Sequence, residues 1–273
     1  MDCYYINLES ARGRRRRLEE NFSACKAEHW ALHRFPATDT HSVDTRAFPG
    51  PLKPAEKACF LSHRKLLQSC LGDEKDILVL EDDTAFGTHS CVAIDNFLQH
   101  NGTGPWDIVY TDIIVPRVET MVELIHYRRQ LSAAGRFTLL DLTNVIFAGT
   151  SAYIVNGKSK RKLAALLECA QGLHMPYDLH LRKLIQERKL AGFAFFPFIT
   201  SVSECSEVSQ VQATDELDTD RIWNSFRKLI WMDRDLEAQK STLREIDSQL
   251  CDDESRLFGV LFSALTSRQF RRK

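Results

Sequence analysis

No apolar stretch in this 273-residue chain approaches the ~20 residues a membrane span needs, and nothing in it repeats or falls to low complexity. The first strand candidate begins at Cys3, which leaves no room for a signal peptide. Eight cysteines are present, but no two form a C-x-x-C pair. They are scattered at Cys3, Cys25, Cys59, Cys70, Cys91, Cys169, Cys205 and Cys251, several inside apolar helical patterns, so they read as reduced thiols rather than a disulfide framework. Neither charge is in excess: 36 Lys and Arg stand against 37 Asp and Glu, which excludes the basic excess of a dedicated nucleic-acid binder. No glycine loop of the kind that cradles phosphates is recognisable, which tells against a nucleotidyltransferase or phosphohydrolase. The expectation is a soluble, cytoplasmic protein with no nucleic-acid partner.

What is present begins with a 44% hydrophobic composition, enough for the core of one large α/β domain or of one domain and an appendage. The most telling stretch is Ile77-Leu78-Val79-Leu80-Glu81-Asp82-Asp83. Four branched aliphatics in a row read as a strand buried on both faces. Ligands of open α/β sheets gather at the carboxyl ends of such strands. Three adjacent carboxyls there repel one another unless a cation joins them. A hard divalent metal with oxygen ligands suits that place and commonly carries substrate phosphates; a solvated acidic turn is the plainer alternative.

Strands and helices alternate along the chain. Cys3 to Leu8 reads as a strand, followed by a helix from about Gly13 to Cys25. His33 to Ala37 is a short apolar unit, and Pro54 opens a helix from Ala55 to about Leu71 that buries Cys59, Phe60, Leu67 and Leu71. Trp106 to Tyr110, Ser151 to Val155 and Phe193 to Phe196 read as further strands, the last of them ending the sheet. Helices are expected from Lys158 to Ala170 and from Met175 to about Lys189. Residues 113–145 hold no clean period and read as a long excursion over the active face. The pattern predicts a mostly parallel sheet flanked by helices.

From Asp215 a charged helical segment follows, with leucines every seven residues at Leu229, Leu236, Leu243, Leu250 and Leu257. The alternate seam positions hold Asp233, Lys240, Asp247 and Glu254, too polar for a strong zipper. A helical appendage packed on the main domain is expected, with homodimerisation through the leucine stripe as the other reading. The basic tail Arg268, Arg271, Arg272 and Lys273 follows an apolar run from Leu257 to Phe262. That tail could rest on an anionic membrane, or the run could be a buried helix with a frayed end.

Several of these pieces, in order, resemble glycosyltransferase family 25, the family of bacterial lipooligosaccharide and animal collagen galactosyltransferases. Tyr5-Ile6-Asn7-Leu8 with Arg14-Arg15 is similar to its first strand and Arg-bearing helix. Phe35-Pro36-Ala37-Thr38-Asp39 is similar to its P-A-x-D turn. Leu52 to Glu56 with Cys59, Ser62 and His63 resembles its L-T-P-G-E-x-G-C-x-x-S-H helix. Leu80-Glu81-Asp82-Asp83 matches its acidic motif, and Trp106-Asp107, Gly149-Thr150 with Ala152-Tyr153, and Pro176 with Asp178 match later landmarks. The resemblance covers about residues 3 to 210. The sequence departs from the family pattern at Ser151, where His is frequent, at Asp112, where Gly is expected, at Lys53 in place of Thr, and at Lys57-Ala58.

The resemblance implies a GT-A-type (Rossmann-like) α/β fold over residues 1–214, with residues 215–273 as the helical appendage. It implies metal-dependent, inverting transfer of a hexose, galactose first, from a UDP-sugar to a hydroxyl of a glycan or lipid-linked acceptor in cell-envelope synthesis, at or near the inner face of the membrane. Asp83 is the expected direct ligand of Mn²⁺ or Mg²⁺, assisted by Asp82 and Glu81. Asn7, Arg14, Arg15, Glu56 and His63 are expected about the donor. Asp178 is the first candidate for the base that deprotonates the acceptor and Asp112 the second, since that base must reach the hydroxyl. A silent relative acting as a binding scaffold, and a transferase acting on protein or small molecules, stand as alternatives.

Overall fold

The structure, a computed structural model, describes residues 1–44, 46–101, 104–134, 137–168, 172–203, 217–267 and 269–270. In chain order the elements are β1 (Asp2–Asn7), α1 (Arg12–Cys25), β2 (Ala31–Pro36), α2 (Pro54–Ser69), β3 (Ile77–Glu81), β4 (Thr84–Phe86), α3 (Ser90–Asn101) and β5 (Ile108–Tyr110). They continue as α4 (Val118–Ala134), β6 (Thr138–Asp141), β7 (Ala152–Val155), α5 (Lys160–Glu168), α6 (Tyr177–Gln186), β8 (Gly192–Phe196), β9 (Thr200–Val202), α7 (Leu217–Ile230), α8 (Leu236–Leu250) and α9 (Asp253–Leu265).

Seven strands form one sheet in the order β2-β1-β3-β7-β5-β8-β6. β2, β1 and β3 are mutually parallel, β5 is parallel to β8, and β7 lies antiparallel between β3 and β5. β6 closes the far edge antiparallel to β8. The sheet is thus mostly parallel in strand direction, as the alternation of elements predicts. The reversed direction of β7 could not be read from its residues, because a four-residue strand buried on both faces looks the same either way.

The three layers show in the pleat. Ile77 and Val79 join the apolar cluster of α2, α5 and α6, whereas Leu78 and Leu80 join the opposite cluster with Leu18 and Phe22 of α1. β7 splits likewise, Tyr153 and Val155 to the first cluster, Ala152 and Ile154 to the second. Successive side chains of a strand point to opposite faces, so each of these runs anchors both helical layers. A fully buried aliphatic side chain contributes about 1.5–3 kcal/mol, which makes the central strands the firmest part of the fold.

Four expectations need correction. Residues 113–145 are not an irregular excursion: they hold α4 and β6. Their period is faint because, among the described side chains of α4, only Leu124 and Arg128 are buried. Cys59 and Leu71 are half-buried rather than core residues. The leucine stripe is no coiled-coil seam, because its five members fall on three separate helices: Leu229 on α7, Leu236, Leu243 and Leu250 on α8, Leu257 on α9. Phe193 to Phe196 also does not end the strands, since β9 follows and pairs with β4 in a second, two-stranded sheet.

The C-terminal helices are unequal. Phe226 and Ile230 of α7 belong to the main core. Arg128 of α4 donates from Nε to the Ile230 carbonyl (3.0 Å) and from Nη2 to that of Trp231 (2.9 Å), satisfying the open end of α7. In α9 no residue is buried, and Leu257, Phe258, Val260, Leu261 and Phe262 are all exposed, so the buried-helix reading of that run does not hold. The 214/215 boundary and the basic residues Arg268, Arg271, Arg272 and Lys273 lie outside the described residues, as do Cys169 and Cys205. The other six cysteines are free thiols.

Candidate functional site

Register decides which residues meet. Ile6 of β1 stands opposite Phe35 and Glu81, so Asn7, the end of β2 and the acidic tip of β3 share one edge of the sheet. β7 runs the other way, so its beginning, Gly149 to Ser151, arrives at that same edge. So does the end of β5 at Thr111 and Asp112. Residues far apart in sequence thus converge where α/β sheets receive ligands.

Asn7 is 2% exposed. Its Nδ2 donates to Asp82 Oδ2 (2.7 Å), and its Oδ1 accepts from Arg34 Nε (3.2 Å). The arginine fixes which way the amide faces. Arg14, in the first turns of α1, lies with Nε 3.0 Å from Asp82 Oδ1 and Nη2 3.1 Å from Asp83 Oδ2. Arg15 does not reach the acids. One residue further round the helix, it pairs instead with Glu19 at 3.1 Å on the outer face. Of the two arginines, Arg14 is the one that touches the acids.

Glu81 turns the other way. Its Oε1 accepts from Thr150 Oγ1 (2.8 Å) and lies 3.5 Å from His63 Nε2. Burial pushes this carboxyl up, but His63 and Thr150 outweigh it and hold it below its ordinary value. His63 itself is 1% exposed, shares a hydrogen bond between Nδ1 and the Tyr153 hydroxyl (2.8 Å), and stacks on Tyr177 at 4.2 Å. Its contacts hold it beside Glu81. Cys59, one turn before His63, completes a group in which single donor atoms of Cys59, His63 and Glu81 lie within 4.8 Å of one another. Burial and the surrounding carboxylates push the Cys59 thiol well up, so it is neutral. Glu56 Oε2 accepts the Lys53 backbone N–H (2.7 Å), closing the N-terminus of α2.

Asp83 is the unsettled member. Burial and the neighbouring Glu81 push its carboxyl up to about 7, and its Oδ1 is buried with no hydrogen-bond partner. Asp82 is also pushed up by burial, with Arg14 opposing. Asp82 and Asp83 therefore share one guanidinium, and a buried polar atom without a partner is costly. The hard oxygen donors of Asp82 and Asp83 fit a divalent cation such as Mn²⁺ or Mg²⁺.

Asp112 is corrected as a base. It is fully buried, its Oδ2 accepts from Arg227 Nε (2.7 Å), and its Oδ1 accepts from Ser151 Oγ (2.7 Å) and Thr200 Oγ1 (3.1 Å). Arg227 also contacts Asp112 and Ser151 through Nη2. No lone pair is left for a substrate proton. The two main departures from the family pattern, Asp112 and Ser151, thus touch each other and share one arginine of α7. Asp178, in the first turn of α6, is half-buried, and its Oδ2 accepts the Gly149 N–H (2.8 Å). Gly149 has φ +86°, a conformation that favours glycine and turns this N–H toward the carboxylate.

Arg227, Tyr153, Tyr177 and Thr150 complete the surroundings. Thr150 and Tyr153 were themselves among the family landmarks legible in the sequence. Arg227 carried no local signal, being one basic residue in a charged helix.

The model of glycosyltransferase family 25 (LPS biosynthesis protein) matches residues 1–181. Lipooligosaccharide biosynthesis protein lic2B of Haemophilus influenzae is 25% identical over 169 residues, which cover 59% of this chain and 62% of that protein. Among solved structures, mouse xyloside xylosyltransferase 1 in its apo form aligns with a TM-score of 0.38 and 12% identity, over 75% of this chain and 72% of the other.

Proposed function

The chain belongs to glycosyltransferase family 25, and on that premise we propose that it moves a hexose, galactose first, from a UDP-sugar to a hydroxyl of a cell-envelope glycan, with inversion at the transferred carbon. The observation that carries this reading is the acidic tip of β3, where Asp83 Oδ1 is buried without a partner beside Asp82 and Arg14. Asp82 and Asp83 would hold a divalent cation. When bound, such an ion supplies Lewis-acid neutralisation of the diphosphate.

The chain's own residues have separable tasks. Asn7 holds Asp82 in register with the end of β1. Arg14 steadies both aspartates while they are not otherwise neutralised, and its guanidinium is suited to a phosphate oxygen. His63, locked by Tyr153 and Tyr177, keeps Glu81 ionised at the base of the tip. Asp178 would accept the acceptor's proton, its Oδ2 fixed by Gly149 and its other oxygen left for the hydroxyl. The exposed apolar face of α9 would lie against the membrane that carries a lipid-linked acceptor.

Screening UDP-galactose, UDP-glucose and UDP-N-acetylglucosamine for Mn²⁺-dependent UDP release without acceptor tests donor and metal together. UDP-galactose should be cleaved fastest. Equal, metal-independent rates for all three would reject both assignments.

A further inference from the structure

A cavity of about 470 Å³ lies where α1, the β4–β9 pair, α7 and α8 meet, within the ~300–1,000 Å³ usual for small-ligand sites. It adjoins the acidic tip without including it. β4 starts at Thr84, directly after Asp83, and the Ser203 N–H at the cavity's edge donates to the Asp83 carbonyl (2.7 Å). Arg17 lines the cavity and lies three residues after Arg14, so one face of α1 serves both places.

The lining has a definite chemistry. Arg17 and Lys228 bring two cations. Asp235 also lines it, its Oδ1 accepting the N–H groups of Glu237 (2.9 Å) and Ala238 (3.1 Å) at the N-terminus of α8, so one carboxylate stands against the two cations. Trp231 adds an indole whose N–H is tied to the Ile199 carbonyl (3.2 Å), which fixes the ring as a platform. Gln239 is 9% exposed, and its Oε1 is buried with no partner, an acceptor suited to a hydroxyl. A fixed aromatic face, two cations and an unsatisfied amide oxygen suit a saccharide that carries negative charge.

We propose that this cavity is the acceptor subsite and that it takes a sugar unit bearing a phosphate or a carboxylate. The proposal rests on the glycosyltransferase reading above. Its test is a tryptophan-fluorescence titration of the full-length protein with galactose 6-phosphate, glucuronate and neutral galactose, alongside a separate calorimetric titration with UDP and Mn²⁺. Both anionic sugars, or the one whose charge the cavity prefers, should bind at least about tenfold more tightly than galactose. The response of one alone identifies phosphate or carboxylate as the source. Trp231→Phe should remove the signal. Lys228→Gln and Arg17→Gln should each bring the anionic sugars close to galactose while leaving UDP affinity unchanged. Equal binding of all three sugars, or binding of none, overturns the proposal. So does a loss of UDP affinity in the two variants, which would give the cavity to the donor. Failure of the wild-type protein to bind UDP tells instead against the glycosyltransferase reading, since the sugar titration is read independently.

Discussion

Replacing Arg227 with Met should cost this protein much of its stability, although the residue lies in what the sequence suggested was an appendage. The Arg227 and Asp112 side chains are 4% and 0% exposed. Removing the guanidinium strands a carboxylate that only Ser151 and Thr200 still satisfy. Breaking a buried pair from one side costs about 3–5 kcal/mol, against a total stability of ~5–15 kcal/mol. At roughly 2–4 °C per kcal/mol for a domain of this size, the melting temperature should fall by about 6–20 °C. Adding Asp112→Asn should recover a good part of the loss, because the amide is neutral and can still meet Ser151 and Thr200. Thermal and urea unfolding of the four proteins of this cycle, followed by circular dichroism, measure the coupling. An Arg227→Met protein within about 1 kcal/mol of wild type, the usual scale of an exposed pair, would refute the reasoning. So would a double variant no more stable than the single.

Three further outcomes follow from the site. Asp83, with its carboxyl raised to about 7, stabilises the metal-free fold fully at low pH and loses that contribution as pH rises through about 7. The melting temperature in chelator should therefore fall between pH 5 and pH 8, and Asp83→Asn should flatten the fall; an unchanged slope would contradict it. Asp178→Asn should lower transfer by about 10²–10⁴-fold with UDP affinity intact, whereas weakened UDP binding with normal turnover would make Asp178 a donor-positioning residue. Deleting residues 250–273 should abolish sedimentation with anionic liposomes, and binding that survives would dismiss α9 as the membrane contact.

The acidic tip was legible because a buried strand ending in three carboxyls is a local pattern, and its landmarks followed in chain order. Much of what surrounds it was not local. Asp112 offered a carboxylate at a strand end and Glu56 stood at a landmark, yet burial gave the first to Arg227 and helix closure engages the second with Lys53. Asp107, another landmark, proves to be a structural junction that accepts from Ser159, Lys162 and the Ala191 N–H. Arg14 and Arg15 are adjacent in sequence, but helical geometry sends only one inward. The reversal of β7 was equally hidden, because alternation reveals burial and not direction. Composition located the edge; only the fold showed which carboxyls remain free at it.

The central claim is that Asp82 and Asp83 make this edge a site for a UDP-sugar and a divalent cation. The most direct measurement is UDP release from UDP-galactose with Mn²⁺, compared between the wild-type protein and the Asp82→Ala, Asp83→Ala double variant. The wild-type protein should release UDP only with the metal, and the double variant, with an unchanged circular dichroism spectrum, should release none. A folded double variant that works at the wild-type rate would contradict the claim.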